Sequence, residues 1–381
     1  MASLSGNTSF TRRAVRIGFV PLIDAAPVIL AHELGFFREE GLDVQLSREI
    51  GWGNVRDKLA FGHLNASHAL LGLPIQSAIA DASAGESIIA VMSLGSGGDA
   101  ITLSERLLFS GVNSAASLAR YVRQSRGQVK PVFAHVFSCS MHHYLLRDWL
   151  AAGGLNPDED VRLCVLPPPQ MAGHLGSGHL DGFCVGEPWN TIAHQDRSGR
   201  IVSLTTDILP AHPEKVLAVN RKWAAAEPDL LVPMIRSVLR ACAFCSDAKN
   251  FARIAATLAR PKYLNVSPAT LQSSLALDRT FGLRPSLNNL RTPDWEMRSF
   301  VATFPSVTHM AWLLNQMVRW QHASSAMDPW QIARSCIDAT AYRAAAASLG
   351  IDCPQGDAPP MPLRGGGLFA EKISEPRLEP V

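Results

Sequence analysis

The sequence predicts an α/β protein of two lobes, with a ligand cleft between the lobes and a helical C-terminal third. Three observations carry this. Apolar strand-like runs alternate with helical patterns from residue 14 to about 94, and again from about 114 to 193. The glycine-rich Gly95-Ser96-Gly97-Gly98-Asp99 separates the two series and reads as a crossover. Beyond Arg221 the pattern is mostly helical. Lobe 1 is expected over 14–105 and 220–350, lobe 2 over 106–219, and an irregular Pro/Gly-rich tail over 354–381, where a core cannot pack.

In chain order, Ala14 to Val20 is a buried strand, and Pro21 to Leu34 an amphipathic helix ended by Gly35. Phe36 to Gly41 turns into a strand over Leu42 to Leu46. Gly51-Trp52-Gly53 then leads into a helix after Asn54, a residue suited to cap it. A strand at Ala66 to Leu71, a helix at Pro74 to Ala82 and a strand at Ser87 to Leu94 complete the first series, which implies a parallel sheet covered by helices. The second series places helices at Ser114 to Gln124 and Met141 to Ala152, with strands at Val132 to Phe137 and Val161 to Leu166. A strand at Val216 to Val219 returns the chain to the first lobe. Apolar helical spacing then recurs in Leu230 to Ala243, Phe251 to Leu258 and His309 to Trp320.

The stretch Asp181 to Ala193 is the most informative. An apolar run ends at Gly186, and Pro188 stands where a helix would begin, so it reads as strand, tight turn, helix. Free backbone N–H groups of a first helical turn point beyond the strand end, and glycine lets a small anion come close. The same pattern also fits an ordinary strand-to-helix corner with a buried tryptophan.

Composition limits the function. A chain of 381 residues, 47% hydrophobic and 18% charged, builds two cores. No run reaches the ~18 apolar residues of a membrane helix. A net charge of +2 without a basic cluster argues against a nucleic-acid surface. The first thirteen residues lack an apolar h-region, and the expected compartment is the cytoplasm. Seven cysteines scattered through apolar stretches fit reduced thiols. No cofactor and no metal are expected, because Cys139-x-x-His142 lacks a second ligand pair.

With these residues in view, the chain resembles the nitrate- and bicarbonate-binding branch of the type II, periplasmic-binding-protein-like solute-binding proteins of ABC transporters. The resemblance covers roughly Val15 to Gly350. It rests on Phe19-Val20-Pro21-Leu22, Glu33-Leu34-Gly35-Phe36-Phe37, Trp52 to Leu59, Gly182-Phe183-Cys184-Val185-Gly186-Glu187-Pro188-Trp189, Pro213-Glu214-Lys215-Val216-Leu217, Ala302-Thr303-Phe304-Pro305 and Asn315 to Trp320. It looks most like the cytoplasmic nitrate- and nitrite-responsive sensors of the NasS type, which implies control of an RNA-binding antiterminator of the NasT type. Neither direct nucleic-acid contact nor a membrane is expected.

The resemblance implies that Trp52, His142, Gly186 and Lys215 surround the anion. Nitrate accepts hydrogen bonds and donates none, so donors and a cation suit it. Trp52 would offer its indole N–H or its face, His142 a ring N–H, Gly186 its backbone and Lys215 its charge. Each has an ordinary alternative as a packing tryptophan, an exposed helix-start histidine or a solvated lysine. Glu187 is expected behind the ligand, orienting Lys215 or a hinge. Asp99 is a departure, since relatives often carry an amide before Ala-Ile-Thr. An ionised Asp99 would repel nitrate unless it points away, pairs with Lys215 or marks a different ligand such as bicarbonate. Two other readings stay open: the binding component of a nitrate or bicarbonate transporter, and an enzyme like the thiamine-pyrimidine synthases, with Cys139 or Cys184 as nucleophile.

Overall fold

Strand direction follows from how the chain enters each sheet. In the computed structural model, which describes residues 13–80, 88–125, 127–276 and 298–371, two five-stranded sheets are formed. Their strands are β1 (Arg13–Phe19), β2 (Leu42–Arg48), β3 (Ala66–Leu70), β4 (Ile88–Ser93), β5 (Asp99–Ser104), β6 (Val132–His135), β7 (Arg162–Val165), β8 (Gly182–Gly186), β9 (Gly199–Leu204) and β10 (Lys215–Asn220). The first sheet has the order β2-β1-β3-β10-β4 and the second β9-β5-β8-β6-β7. Calls on residues 1–12 and on 372–381 of the tail fall outside the described residues.

Both sheets are mixed, which corrects the expectation of a parallel sheet. Within the first, β1 runs parallel to β2 and β3, whereas β10 is antiparallel to β3 and β4. In the second, β6 is parallel to β7 and β8, whereas β5 is antiparallel to β8 and β9. The two inserted strands, β5 and β10, are those the chain enters directly from the other lobe. A parallel neighbour needs a return crossover, usually a helix; a strand entered from the other lobe has none. By sheet membership Asp99–Ser104 belongs with lobe 2 and Lys215–Asn220 with lobe 1. The lobe change therefore lies at 94–98 and at 205–214, ahead of the 105/106 and 219/220 boundaries read from the sequence.

Several helices start at other residues or pack differently than their patterns imply. After a 3-10 turn at Ile23–Ala25, α1 (Ala26–Glu33) is buried from Ala26 to Ala31 rather than amphipathic. It lies under the long α6 (Pro228–Ser246), so it has no solvent face to make polar. Phe36–Glu39 forms a helical turn. Next, α2 (Trp52–Ala60) begins at the tryptophan with Gly51 as its N-cap, which leaves Asn54 inside the helix. Then come α3 (Gly72–Ala80), α4 (Met141–Ala152), α5 (Trp189–Gln195) and α7 (Val307–Arg319). α7 packs against α3 of the first lobe and α4 of the second. No helix among the described residues is long and apolar enough to cross a membrane.

One apolar core fills the first lobe under α1 and α6, and a smaller one fills the second around Phe133 and Leu146. A third joins the lobes through Trp52, Leu70, Tyr144, Val185 and Trp312. The tail is more ordered than its composition implies. Met361 is buried in the shared core, Phe369 stacks on Trp330 with ring centroids 5.6 Å apart, and Arg343 holds Asp357 at 2.6 Å. A few apolar and acidic side chains dock an otherwise irregular segment.

The lobes touch closely where α3 meets the loop before α4. A Cβ added at Gly72 would lie 1.9 Å from the Cys139 carbonyl oxygen. Gly72→Ala should therefore lower stability by about 1–3 kcal/mol in urea unfolding, because that oxygen belongs to backbone and cannot rotate away. Gly173→Ala, within the helix Pro168–Gly176 and with nothing within 4 Å, should stabilise by up to about 1 kcal/mol.

Candidate functional site

The site forms where strand ends from both sheets face each other. Because β5 and β10 are antiparallel insertions, their first residues lie at the edge where the parallel strands finish. Asp99 pairs with Gly186 at the end of β8, and Lys215 with Leu70 at the end of β3. To this edge α2 brings Trp52 as its first residue and α4 brings His142 as its second. Ser140 caps α4 by accepting from the His143 N–H at 3.2 Å, which fixes where His142 sits. Asp24 comes from the 3-10 turn after β1, and His68 from the middle of β3.

Lys215 is 1% exposed. Its ammonium lies 3.0 Å from Asp24 Oδ2, bonds Glu214 Oε1, and sits 5.5 Å from the centroid of the Trp52 ring. Burial alone would lower its pKa, but Asp24, Glu214 and Asp99 override that and hold it above the ordinary lysine value. Lys215 is therefore a charged, buried cation. Trp52 is equally buried, and its indole N–H has no hydrogen-bond partner among the described residues.

His142 stands between two carboxyl groups. Its Nε2 lies 3.1 Å from Asp99 Oδ1 and its Nδ1 lies 3.2 Å from Glu214 Oε1. Burial holds the imidazole pKa below its usual value, against the pull of Asp99. Burial pushes the Glu214 carboxyl well above the usual range, with Asp99 adding to it and Lys215 opposing. The Asp99 carboxyl is held low: burial would raise it, but His142 and Lys215 outweigh that. Behind this row, the Thr205 hydroxyl donates to the Asp99 carbonyl and meets His212 Nε2, both at 2.8 Å. On the other side, His68 Nε2 lies 2.8 Å from Asp24 Oδ1.

Asp99, His142 and Glu214 each bring a polar atom within 4.8 Å of the others, the one such group of His, Cys, Asp or Glu residues found among the described residues. The imidazole turns a different nitrogen toward each carboxyl, and neither nitrogen makes a hydrogen bond among the described residues.

The structure brings Trp52, His142, Gly186, Lys215 and Asp99 to one place. A Cβ on Gly186 would lie 3.1 Å from Asp99 Oδ1 and 3.7 Å from Asp24 Oδ2, so the glycine lets both acids close in. Asp99 faces inward toward His142, which answers whether it points away. Glu187 holds the lobes together: its carboxylate accepts from the Thr191 N–H at 3.2 Å, and its carbonyl accepts from the Ile23 N–H at 2.9 Å. This corrects one expectation. The helix after Gly186 starts at Trp189, one residue past Pro188, and Glu187 already takes an N–H of its first turn. Asp24, His68, His212 and Glu214 went unassigned in the sequence. A lone Asp24 and His68 inside apolar runs, and the polar run His212-Pro213-Glu214-Lys215 opening a strand, were the available signals. For the enzyme reading, burial pushes the Cys139 thiol up to about 12 and the Cys184 thiol well above its ordinary value, which leaves both protonated at neutral pH.

Known proteins agree with this architecture. The profile of the NMT1-like family matches residues 10–259, most of the chain. The chain belongs to the NMT1-like family. Relatives include the nitrate import ATP-binding protein NrtC of Synechocystis, 32% identical over 326 residues, and the bicarbonate transport ATP-binding protein CmpC of the same organism, 33% identical over 343. These alignments take in 84% and 89% of this chain, which spans about half of each relative, 48% and 50%. The nitrate/nitrite binding protein NrtA of Synechococcus elongatus is 29% identical, over 97% of this chain and 85% of NrtA. Among solved structures, the periplasmic nitrate-binding protein NrtA of Synechocystis PCC 6803 superposes with a TM-score of 0.85 at 25% identity, covering 94% of this chain and 96% of that one. The family fold is thus the two-lobe, periplasmic-binding-protein-like α/β architecture seen here.

The buried charges of this NMT1-like chain depend on one another. Lys215→Met should cost about 3–5 kcal/mol in urea unfolding, because it leaves Asp24 and Glu214 without the ammonium. Adding Asp24→Asn should restore part of that loss, and a purely additive double mutant would show that the two side chains are not coupled.

Proposed function

We propose that this protein binds nitrate or nitrite in the cleft between its two sheets. The observation that carries the reading is a buried ammonium beside an indole N–H that has no partner among the described residues, at the meeting of both lobes. Two N–H donors of Lys215 are engaged by Asp24 and Glu214, which leaves a third for the ligand. A flat monoanion suits the Trp52 face, with Lys215 as counter-ion. The nitrate/nitrite binding proteins among the relatives support this ligand class.

The role we propose is that of a cytoplasmic sensor. Anion binding closes the lobes, and the altered surface releases an RNA-binding antiterminator of the NasT type. The resemblance to NasS-type sensors supports it. Physically, the anion must bind the closed form better than the partner-bound form; a coupling of about 1–3 kcal/mol shifts partner affinity about 5–150-fold. A second reading, the binding component of a nitrate or bicarbonate transporter, is favoured by the relatives named for import and transport.

Isothermal titration calorimetry with nitrate, nitrite and bicarbonate at low chloride tests the ligand. Saturable nitrate or nitrite binding is expected, weakened by about 2–5 kcal/mol in Lys215→Ala. Equal affinity in that variant would remove Lys215 from the site. Gel filtration with the antiterminator tests the role: nitrate should dissociate the complex. Nitrate binding that leaves the complex intact would turn the reading to transport.

A further inference from the structure

The cleft holds more negative charge than an anion site should. Asp24, Asp99 and Glu214 are all buried around the single ammonium of Lys215. His68 does not redress the balance: its Nδ1 accepts from the Val20 N–H at 3.5 Å, so the proton lies on Nε2, toward Asp24. Counting Asp24 and Asp99 as anions, Lys215 as a cation and one mobile proton shared between His142 and Glu214, the cluster carries one net negative charge. A nitrate placed there would double it within a few ångströms in a poorly solvated space, where repulsion between like charges is strong.

The His142 bridge shows where relief lies. A neutral imidazole has one donor and one acceptor nitrogen, yet here each nitrogen lies close to a carboxyl oxygen, at 3.1 and 3.2 Å, and neither makes a hydrogen bond among the described residues. One proton beyond the neutral imidazole's own is therefore needed to satisfy the Asp99–His142–Glu214 row. A second can be added, because an imidazolium donates to both sides while a protonated Glu214 still accepts at its carbonyl oxygen. The groups facing the row come from the elements around it: Asp24 on the 3-10 turn, Asp99 on β5, His135 on β6, Cys184 on β8, His212 in the loop before β10, and Glu214 with Lys215 at the start of β10.

We propose that the cleft takes up its oxyanion together with one proton, drawn from solvent onto the His142–Glu214 pair. The inference rests on the nitrate reading above and deepens it. Each anion then enters with its charge matched, and the cluster's net charge is unchanged. No bond other than those of the proton is made or broken. Loading is consequently favoured by acid and weakened by base.

Calorimetry of the full chain with nitrate, in HEPES and in Tris at pH 7.5 without chloride or added metal, reads the proton directly, because the two buffers release it with different heats. About one proton taken up per nitrate is expected, with the Kd rising about tenfold per pH unit between 7 and 9. In Asp99→Asn, which removes one negative charge, uptake should fall toward zero and the pH dependence should flatten. Asp24→Asn, which also removes one of the counted negative charges, should act likewise and serves as the second variant if the first does not fold. Nitrate binding without proton uptake, at constant affinity across this range, would overturn the proposal while leaving the nitrate reading intact. So would binding that appears only when a divalent cation such as calcium is added. No heat with nitrate or nitrite at any pH would remove both.

Discussion

The burial of one positive charge governs the architecture of this site. Lys215 is almost wholly withdrawn from water and is stabilised by Asp24 and Glu214 at contact distance, by the charge of Asp99 and by the Trp52 face. Desolvating a charge costs several kcal/mol, so each acid beside the ammonium needs its own satisfaction in turn. That demand propagates outward. His68 meets Asp24, His142 meets Glu214 and Asp99, and Thr205 with His212 fixes the Asp99 backbone. The result is a polar network that runs from the first sheet to the second inside an apolar surround.

Topology makes such a network affordable in backbone terms. The parallel strands deliver their ends to one edge, and the two antiparallel insertions start there, so Asp99 and Lys215 arrive on strands rather than on loops. Rigid elements hold short polar distances better than loops do. The glycines matter at the closest approaches: Gly186 admits the acids, and Gly72 lets α3 of one lobe press on the backbone of the other.

Further contacts hold the two lobes against each other. α7 packs on a helix of each lobe, Glu187 ties the end of β8 to the turn at Ile23, and the Trp189 indole reaches the Pro21 carbonyl at 3.2 Å.

Most strands and helices were legible in the amino-acid sequence, because apolar runs of strand length and glycine or serine boundaries are local signals. Val132 to Phe137 and Met141 to Ala152 stand close to where their patterns put them. The resemblance also named Trp52, His142, Gly186 and Lys215, which the fold brings together. Sequence alone left β5 and β9 unread, because Ala100-Ile101-Thr102 follows a glycine run and the apolar signal of Gly199 to Leu204 is weak. It could not set strand direction, since hydrophobic pattern is the same for either sense. Nor could it pair Asp24 with Lys215 or place His142 between Asp99 and Glu214. The sequence by itself determined most of the elements and their lobes in outline. Tertiary structure alone decided which charges meet, because contacts between residues separated by scores of positions depend on how two sheets face each other.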